Sequence, residues 1–189
     1  SDALANGNEN VLVVTKQGKA IAFSEQDVRP MGRNAGGVRA ILLEKGDEVV
    51  SMELDIDQTR KVLVITENGF GKRTPLEEYR PQARGGKGVA TYDKTKFGKT
   101  GLLVGATLVS EDDEVMVINS NGVIIRIRAD EVSTLGRTTQ GVKIMKVEKG
   151  NRIVSFAKVV DEDSAQKPST DAPKDPNVGA DGNEQLTLV

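Results

Sequence analysis

VLVVTKQG (Val11–Gly18), VLVITENG (Val62–Gly69) and VMVINSNG (Val115–Gly122) are three copies of one pattern, set 51 and 53 residues apart. Fifteen residues beyond each closing glycine stands an arginine: Arg33, Arg84 and Arg137. Gly-Val follows each arginine at a fixed distance, at Gly37-Val38, Gly88-Val89 and Gly141-Val142. Periods of this size mark supersecondary units that stack or radiate from an axis, rather than one conventional core.

Working outward from these runs, each repeat holds four β-branched blocks parted by turn residues. The blocks are Val11-Thr15, Lys19-Phe23, Val38-Leu43 and Val49-Leu54; Val62-Thr66, Lys72-Thr74, Val89-Tyr92 and Leu102-Val109; Val115-Asn119, Val123-Arg128, Val142-Val147 and Ile153-Val159. Such blocks read as strands. Asn68-Gly69 and Asn121-Gly122 are hairpin turns, because the turn needs positive φ. Four strands per unit of this length make a propeller-like blade, and the chain is expected to be all-β with three four-stranded blades. A ring normally takes four to eight blades, so three leave open edges. The expectation is therefore a fragment of a larger disc, with self-association through open blade edges as a further consequence.

Composition narrows the chemistry. The 189 residues include no Cys and no His, which removes disulfides, thiolate metal sites and the commonest general base. No catalytic residues and no metal ligands are assigned. No apolar run is long enough to span a bilayer and no signal peptide is recognisable, so no membrane partner is expected and the chain reads as soluble and intracellular. The absence of an initiator Met at Ser1 agrees with the fragment reading.

Charge is unevenly spread. Residues 161–189 carry seven acids against Lys167 and Lys174, a net of −5, which leaves residues 1–160 with 24 bases and 21 acids, or +3. A basic body with an acidic tail points to an anionic partner and a built-in competitor for it. With Pro168, Pro173 and Pro176 among polar residues, the tail is expected to be disordered. The boundaries follow: 1–160 for the bladed body, in repeats of about 11–60, 61–112 and 113–160, and 161–189 for the tail.

Between the second and third block of each repeat lies a loop rich in Gly and base: Met31–Gly37, Gln82–Gly88 and Leu135–Gly141. Glycine lets backbone N–H groups approach a phosphate while Arg and Lys supply charge. Arg33, Arg84 and Arg137 are the leading candidates for contact with a nucleic-acid backbone. Arg39 and Lys143 share one repeat position and Arg73 and Arg126 another, and Lys72, Lys87 and Arg128 complete the set. The structural alternative for the arginines is also visible, since each follows an acid by six residues: Asp27, Glu78 or Glu131. An ion pair within each blade would use the same residues. The six aromatics, none of them Trp, disfavour recognition of unpaired bases and leave duplex phosphates as the better target.

At Val28–Val38 (VRPMGRNAGGV), Gly69–Tyr79 (GFGKRTPLEEY) and Leu135–Val142 (LGRTTQGV) the chain resembles the C-terminal domain of DNA gyrase A, the A-type subunit of a type IIA DNA topoisomerase. The resemblance covers about residues 11–160 and includes an acidic tail in the same place. It implies a β-pinwheel, a propeller-like disc of normally six blades, of which these resemble the last three. It also implies that the rim wraps duplex DNA, that the rest of gyrase A, together with gyrase B, forms the holoenzyme around it, and that the setting is the bacterial cytoplasm near the nucleoid. ATP and Mg would act elsewhere in that holoenzyme, with no cofactor in this part. Gln82–Gly88 (QARGGKG) is one residue off the family's Gln-Arg-Arg-Gly-Gly-Lys-Gly box and sits in the middle repeat, so DNA contact is carried over only to Arg84 and Lys87. The related C-terminal domain of topoisomerase IV, and a propeller that binds another protein, are the alternatives. Removal of residues 161–189 is expected to strengthen binding to linear duplex DNA at low salt, read by a titration of the full and shortened chains; equal affinities would take the tail out of the mechanism.

Overall fold

A computed structural model describes residues 7–55 and 60–159, all within one compact unit. The expected tail, 161–189, lies outside the described residues. Three antiparallel sheets follow one another along the chain, but the strands are not shared out one repeat per sheet. β1 (Asn10–Thr15) and β2 (Lys19–Ser24) form the first hairpin, and β3 (Val49–Asp55) pairs with the free side of β1. β4 (Lys61–Thr66), β5 (Phe70–Pro75) and β7 (Leu103–Val109) repeat that arrangement, as do β8 (Glu114–Asn119), β9 (Ile124–Arg128) and β11 (Ile153–Lys158).

The remaining strands cross the boundaries. β6 (Val89–Ala90) belongs to the second repeat yet pairs with β2 of the first, in the register Lys19↔Ala90 and Ala20↔Val89. β10 (Val142–Lys143) belongs to the third repeat and pairs with β5 of the second, as Gly71↔Val142 and Phe70↔Lys143. The strand orders are thus β3-β1-β2-β6, β10-β5-β4-β7 and β11-β8-β9. This corrects the expectation of three self-contained four-stranded blades. The third sheet has three strands, because its fourth would come from a following repeat, and Val38-Leu43 forms no strand, because the β2-type edge it would join belongs to a preceding one.

Sequence explains why the hairpins are so apolar. Both faces of β4 are covered, so Val62, Leu63, Val64 and Ile65 are all fully buried. Leu12 and Val14 meet Val62 and Val64 in a core between the first two blades, while Leu63 and Ile65 meet Val115 and Val117 in a second core. A smaller cluster on the outer side of the first blade joins Val11, Val13, Ile21 and Phe23 under Ile41. β3, β7 and β11 pack side by side, and the Phe156 ring lies against Gly105 while Ser51 Oγ accepts a hydrogen bond from Ala106 N at 2.8 Å. These three strands therefore line the hub, and β6 and β10, at the far end of their sheets, form the rim. The single short helix, α1 (Phe97–Thr100), places Phe97 in a stack on Tyr92.

The Gly-Val pairs are what let a donated strand arrive. Gly88 and Gly141 have φ of 65° and 77°, and a Cβ there would sit 2.4 Å from Ala20 O and 2.5 Å from Gly71 O. Gly37, at φ 74°, has nothing within 4 Å of the same point. Gly141→Ala is therefore expected to destabilise the fold by about 2–4 kcal/mol, and Gly37→Ala by only the roughly 1–2 kcal/mol of its left-handed backbone, as read from urea unfolding midpoints.

Candidate nucleic-acid interface

The donated strands carry the glycine loops to the rim. On the way in, Gln82 N donates to Ala22 O at 2.8 Å and Leu135 N to Arg73 O at 2.8 Å, each bond joining a loop to the preceding blade. On the way out, Thr91 N donates to Gly18 O at 2.9 Å and Ile144 N to Gly69 O at 2.8 Å. Successive loops therefore occupy equivalent places on successive blades.

The loop arginines do meet the acidic turns, across the blade boundary rather than within a blade. Arg84 Nε donates to the carbonyl of Asp27 at 2.8 Å and its Nη1 to the carbonyl of Arg39 at 3.2 Å. Arg137 presents its backbone N to Glu78 Oε2 at 3.1 Å, holds Nε 3.8 Å from the same oxygen, and donates from Nη1 to Ala90 O at 2.8 Å. Both side chains are half-buried. Arg33 is exposed and has no partner among the described residues. Strand donation is the cause: each arginine travels with its strand to the blade before it, and Arg33 has no such blade in this chain.

Two predicted contacts are corrected outright. Lys72 is fully buried, and its Nζ donates to Gly136 O at 2.7 Å, to Arg137 O and to Thr139 Oγ1 at 3.2 Å, 5.4 Å from the centre of the Tyr92 ring. Burial pushes its pKa down to about 8, opposed by the charges of Glu78 and Asp93 and assisted by that of Arg137. Arg73 is also buried; its Nε donates to Val132 O at 2.7 Å, and its head also meets Glu111 and Asp130 O. Neither side chain can reach a phosphate. Both join the second blade to the third.

Arg126 and Arg128 lie exposed on β9, but Arg126 is paired with Glu114, and Arg128 with Asp130 at 3.0 and 2.7 Å. Arg39, Lys87 and Lys143 are exposed and form no ion pair among the described residues, with the Lys143 ammonium 5.9 Å from the Phe70 ring. Sequence reading passed over Arg29 and Arg80, which are exposed at one repeat position just after the acidic turns. Their shared spacing was the available signal. No group of His, Cys, Asp and Glu that could hold a metal ion, and no helix long and apolar enough to cross a membrane, is found among the described residues.

Radially arranged blades that trade strands and carry glycine-rich basic loops at the rim define a propeller-type domain. The chain belongs to the family described as the DNA gyrase C-terminal domain, beta-propeller, whose model matches residues 9–54, 60–110 and 113–159. It is 44% identical over 161 residues to the DNA gyrase A of Staphylococcus epidermidis and 38% identical over 183 residues to that of Staphylococcus aureus. Those alignments cover 85% and 96% of the chain, but only 18% and 20% of the relatives' length. Among solved structures, a DNA gyrase A C-terminal domain aligns with a TM-score of 0.76 at 30% identity, over 82% of this chain and 52% of that one. The C-terminal domain of DNA topoisomerase IV aligns with a TM-score of 0.78 at 25% identity, over 83% and 48%. The chain thus spans about half of either domain.

Lys72→Ala and Arg73→Ala are each expected to lower stability by about 3–5 kcal/mol, since each strands buried polar groups. Lys87→Ala and Lys143→Ala should stay within about 0.5 kcal/mol of the parent, as exposed substitutions do. Denaturant titration of the four variants separates the two classes.

Proposed function

We propose that the chain binds duplex DNA along its rim and bends it, as part of a DNA gyrase A. The observation that carries this reading is that equivalent glycine-rich loops sit on successive rim strands, with Arg39, Lys87 and Lys143 exposed beside them. Spaced point charges of this kind suit phosphates, which are met in register along a duplex and carry no sequence information. The contacts should therefore be sequence-tolerant. Arg33 adds a further exposed cation, and Arg84 and Arg137 can add the outward edges of half-buried guanidinium groups.

Chemistry is assigned elsewhere. ATP-driven supercoiling by a holoenzyme with gyrase B, in the bacterial cytoplasm, is the activity this domain would serve by presenting a wrapped DNA segment. Gyrase is favoured over topoisomerase IV, because the relatives at 44% and 38% identity carry the gyrase name and the topoisomerase IV domain stands at 25%.

Bending a site of 20–30 bp costs on the order of 1–6 kcal/mol, so several modest contacts along a curve are required rather than one tight loop. With about four to six phosphates neutralised, log K should fall with log salt at a slope near −4 to −5. Arg39→Ala, Lys87→Ala and Lys143→Ala should each reduce that slope by about one. Titration of labelled linear duplex across a salt series checks both. Binding that does not weaken as salt rises would leave a protein-binding propeller in its place.

A further inference from the structure

The two blade junctions inside the chain follow one template. The first consists of Gln82 N to Ala22 O, Arg84 on the Asp27 turn, Ala90 beside Lys19, Thr91 N to Gly18 O, and Leu103 N to Lys16 O at 3.0 Å. The second repeats it with Leu135 N to Arg73 O, Arg137 on Glu78, Lys143 beside Phe70, Ile144 N to Gly69 O, and Ile153 N to Glu67 O at 2.7 Å. Each junction needs a donor surface from one blade and an acceptor surface from the blade before it.

One donor and one acceptor are left over. On the first blade Met31, Arg33, Val38, Arg39, Ala40 and Val49 stand at the donor positions, with none of the template's bonds made. Val49 is 47% exposed, whereas its equivalents Leu103 and Ile153 are 0% and 1%. On the third blade Ser120, Gly122, Val123, Ile124, Arg126 and Glu131 stand at the acceptor positions, and β9 has no neighbour on its outer side. Val123 and Ile124 are 47% and 58% exposed, although their equivalents in the second blade, Phe70 and Gly71, lie buried under β10.

We propose that these surfaces bind each other between two copies of this chain, each copy's 31–49 segment closing the β9 edge of the other. The template fixes the register without adjustable choices: Arg39 opposite Val123, Val38 opposite Ile124, Ala40 N on Gly122 O, Val49 N on Ser120 O. Charge agrees, since Arg33 arrives at Glu131 as Arg137 does at Glu78. The donor glycine is already set, with Gly37 at φ 74° beside 65° and 77° at Gly88 and Gly141. Closure by two copies follows from size. The chain aligns to 52% and 48% of two solved discs, so a pair completes one, and reciprocal exchange about a two-fold axis leaves no edge open.

The test needs no DNA and is independent of the DNA reading. Sedimentation of the full chain over a wide concentration range is expected to give a species of twice the chain mass, with no larger one at the highest concentration. The absence of native cysteine makes a cross-link unambiguous. In the template the Gly18/Thr91 pair is hydrogen-bonded, so the adjoining Lys19/Ala90 pair is the close, unbonded kind that suits a disulfide. Arg39→Cys with Val123→Cys should therefore oxidise to a covalent dimer, and Arg39→Cys with Ile124→Cys, one residue out of register and on the opposite face, should not. A monomer at every concentration, growth beyond two copies, a cross-link within one chain, or equal cross-linking by both pairs would each overturn the proposal.

Discussion

The sheet edge is the constraint on which everything else rests. A hairpin and one hub strand leave a row of unpaired N–H and C=O groups on the outer side, and such an edge must be filled or it will pair indiscriminately. Here it is filled from the next repeat: β6 on β2 and β10 on β5. Blades are consequently joined by backbone hydrogen bonds at the rim and by apolar cores between their faces. Neither kind of contact could be lost without the other, because Tyr92 and Met145, which help to fill the two cores, lie on the segments that carry the donated strands.

That arrangement decides what the charged residues do. An arginine in a glycine loop could serve DNA or the fold, and Arg84 and Arg137 show that the position serves the fold first, by binding carbonyls and Glu78 of the preceding blade. Lys72 goes further, its ammonium giving its protons to Gly136 O, Arg137 O and Thr139 Oγ1 inside the boundary. A buried ammonium survives only with such partners. Charges that answer to no neighbour are found one step outward, at Arg39, Lys87 and Lys143, where the side chain leaves the rim strand or its loop toward solvent.

The repeats and their hairpins were legible because β-branched runs and Asn-Gly turns are local signals, and Val62–Ile65 could hardly be anything but a strand buried on both faces. Strand exchange was not legible, since Val89–Ala90 pairs equally well on paper with either neighbouring edge, and only the packing of Tyr92 between the first two blades chooses. The same gap misplaced the arginine pairs by one repeat. Lys72 and Arg73 were read as rim cations because a two-residue basic run resembles a solvated face. Their burial follows from the arrival of residues 132–139, a segment some sixty positions away. Arg126 illustrates the converse: it shares Arg73's repeat position, yet stays exposed because no following blade covers it.

Strand exchange also bears on how a rim could hold bent DNA. A bent duplex pushes back on every contact along the arc, and cations on a free edge strand would transmit that load to a single hairpin. Lys143 instead sits on a strand fixed to the second blade through β5, while the chain on either side of it returns to the third. Load applied at Lys143 is thus shared by two blades and the core between them. Lys87, in the loop that Gln82 N and Thr91 N tie to the first blade, stands in the same relation to the first two. A curved row of charges resists straightening only if its spacing is rigid, and the exchanged strand supplies that rigidity by making each charged position part of two adjacent sheets' boundary.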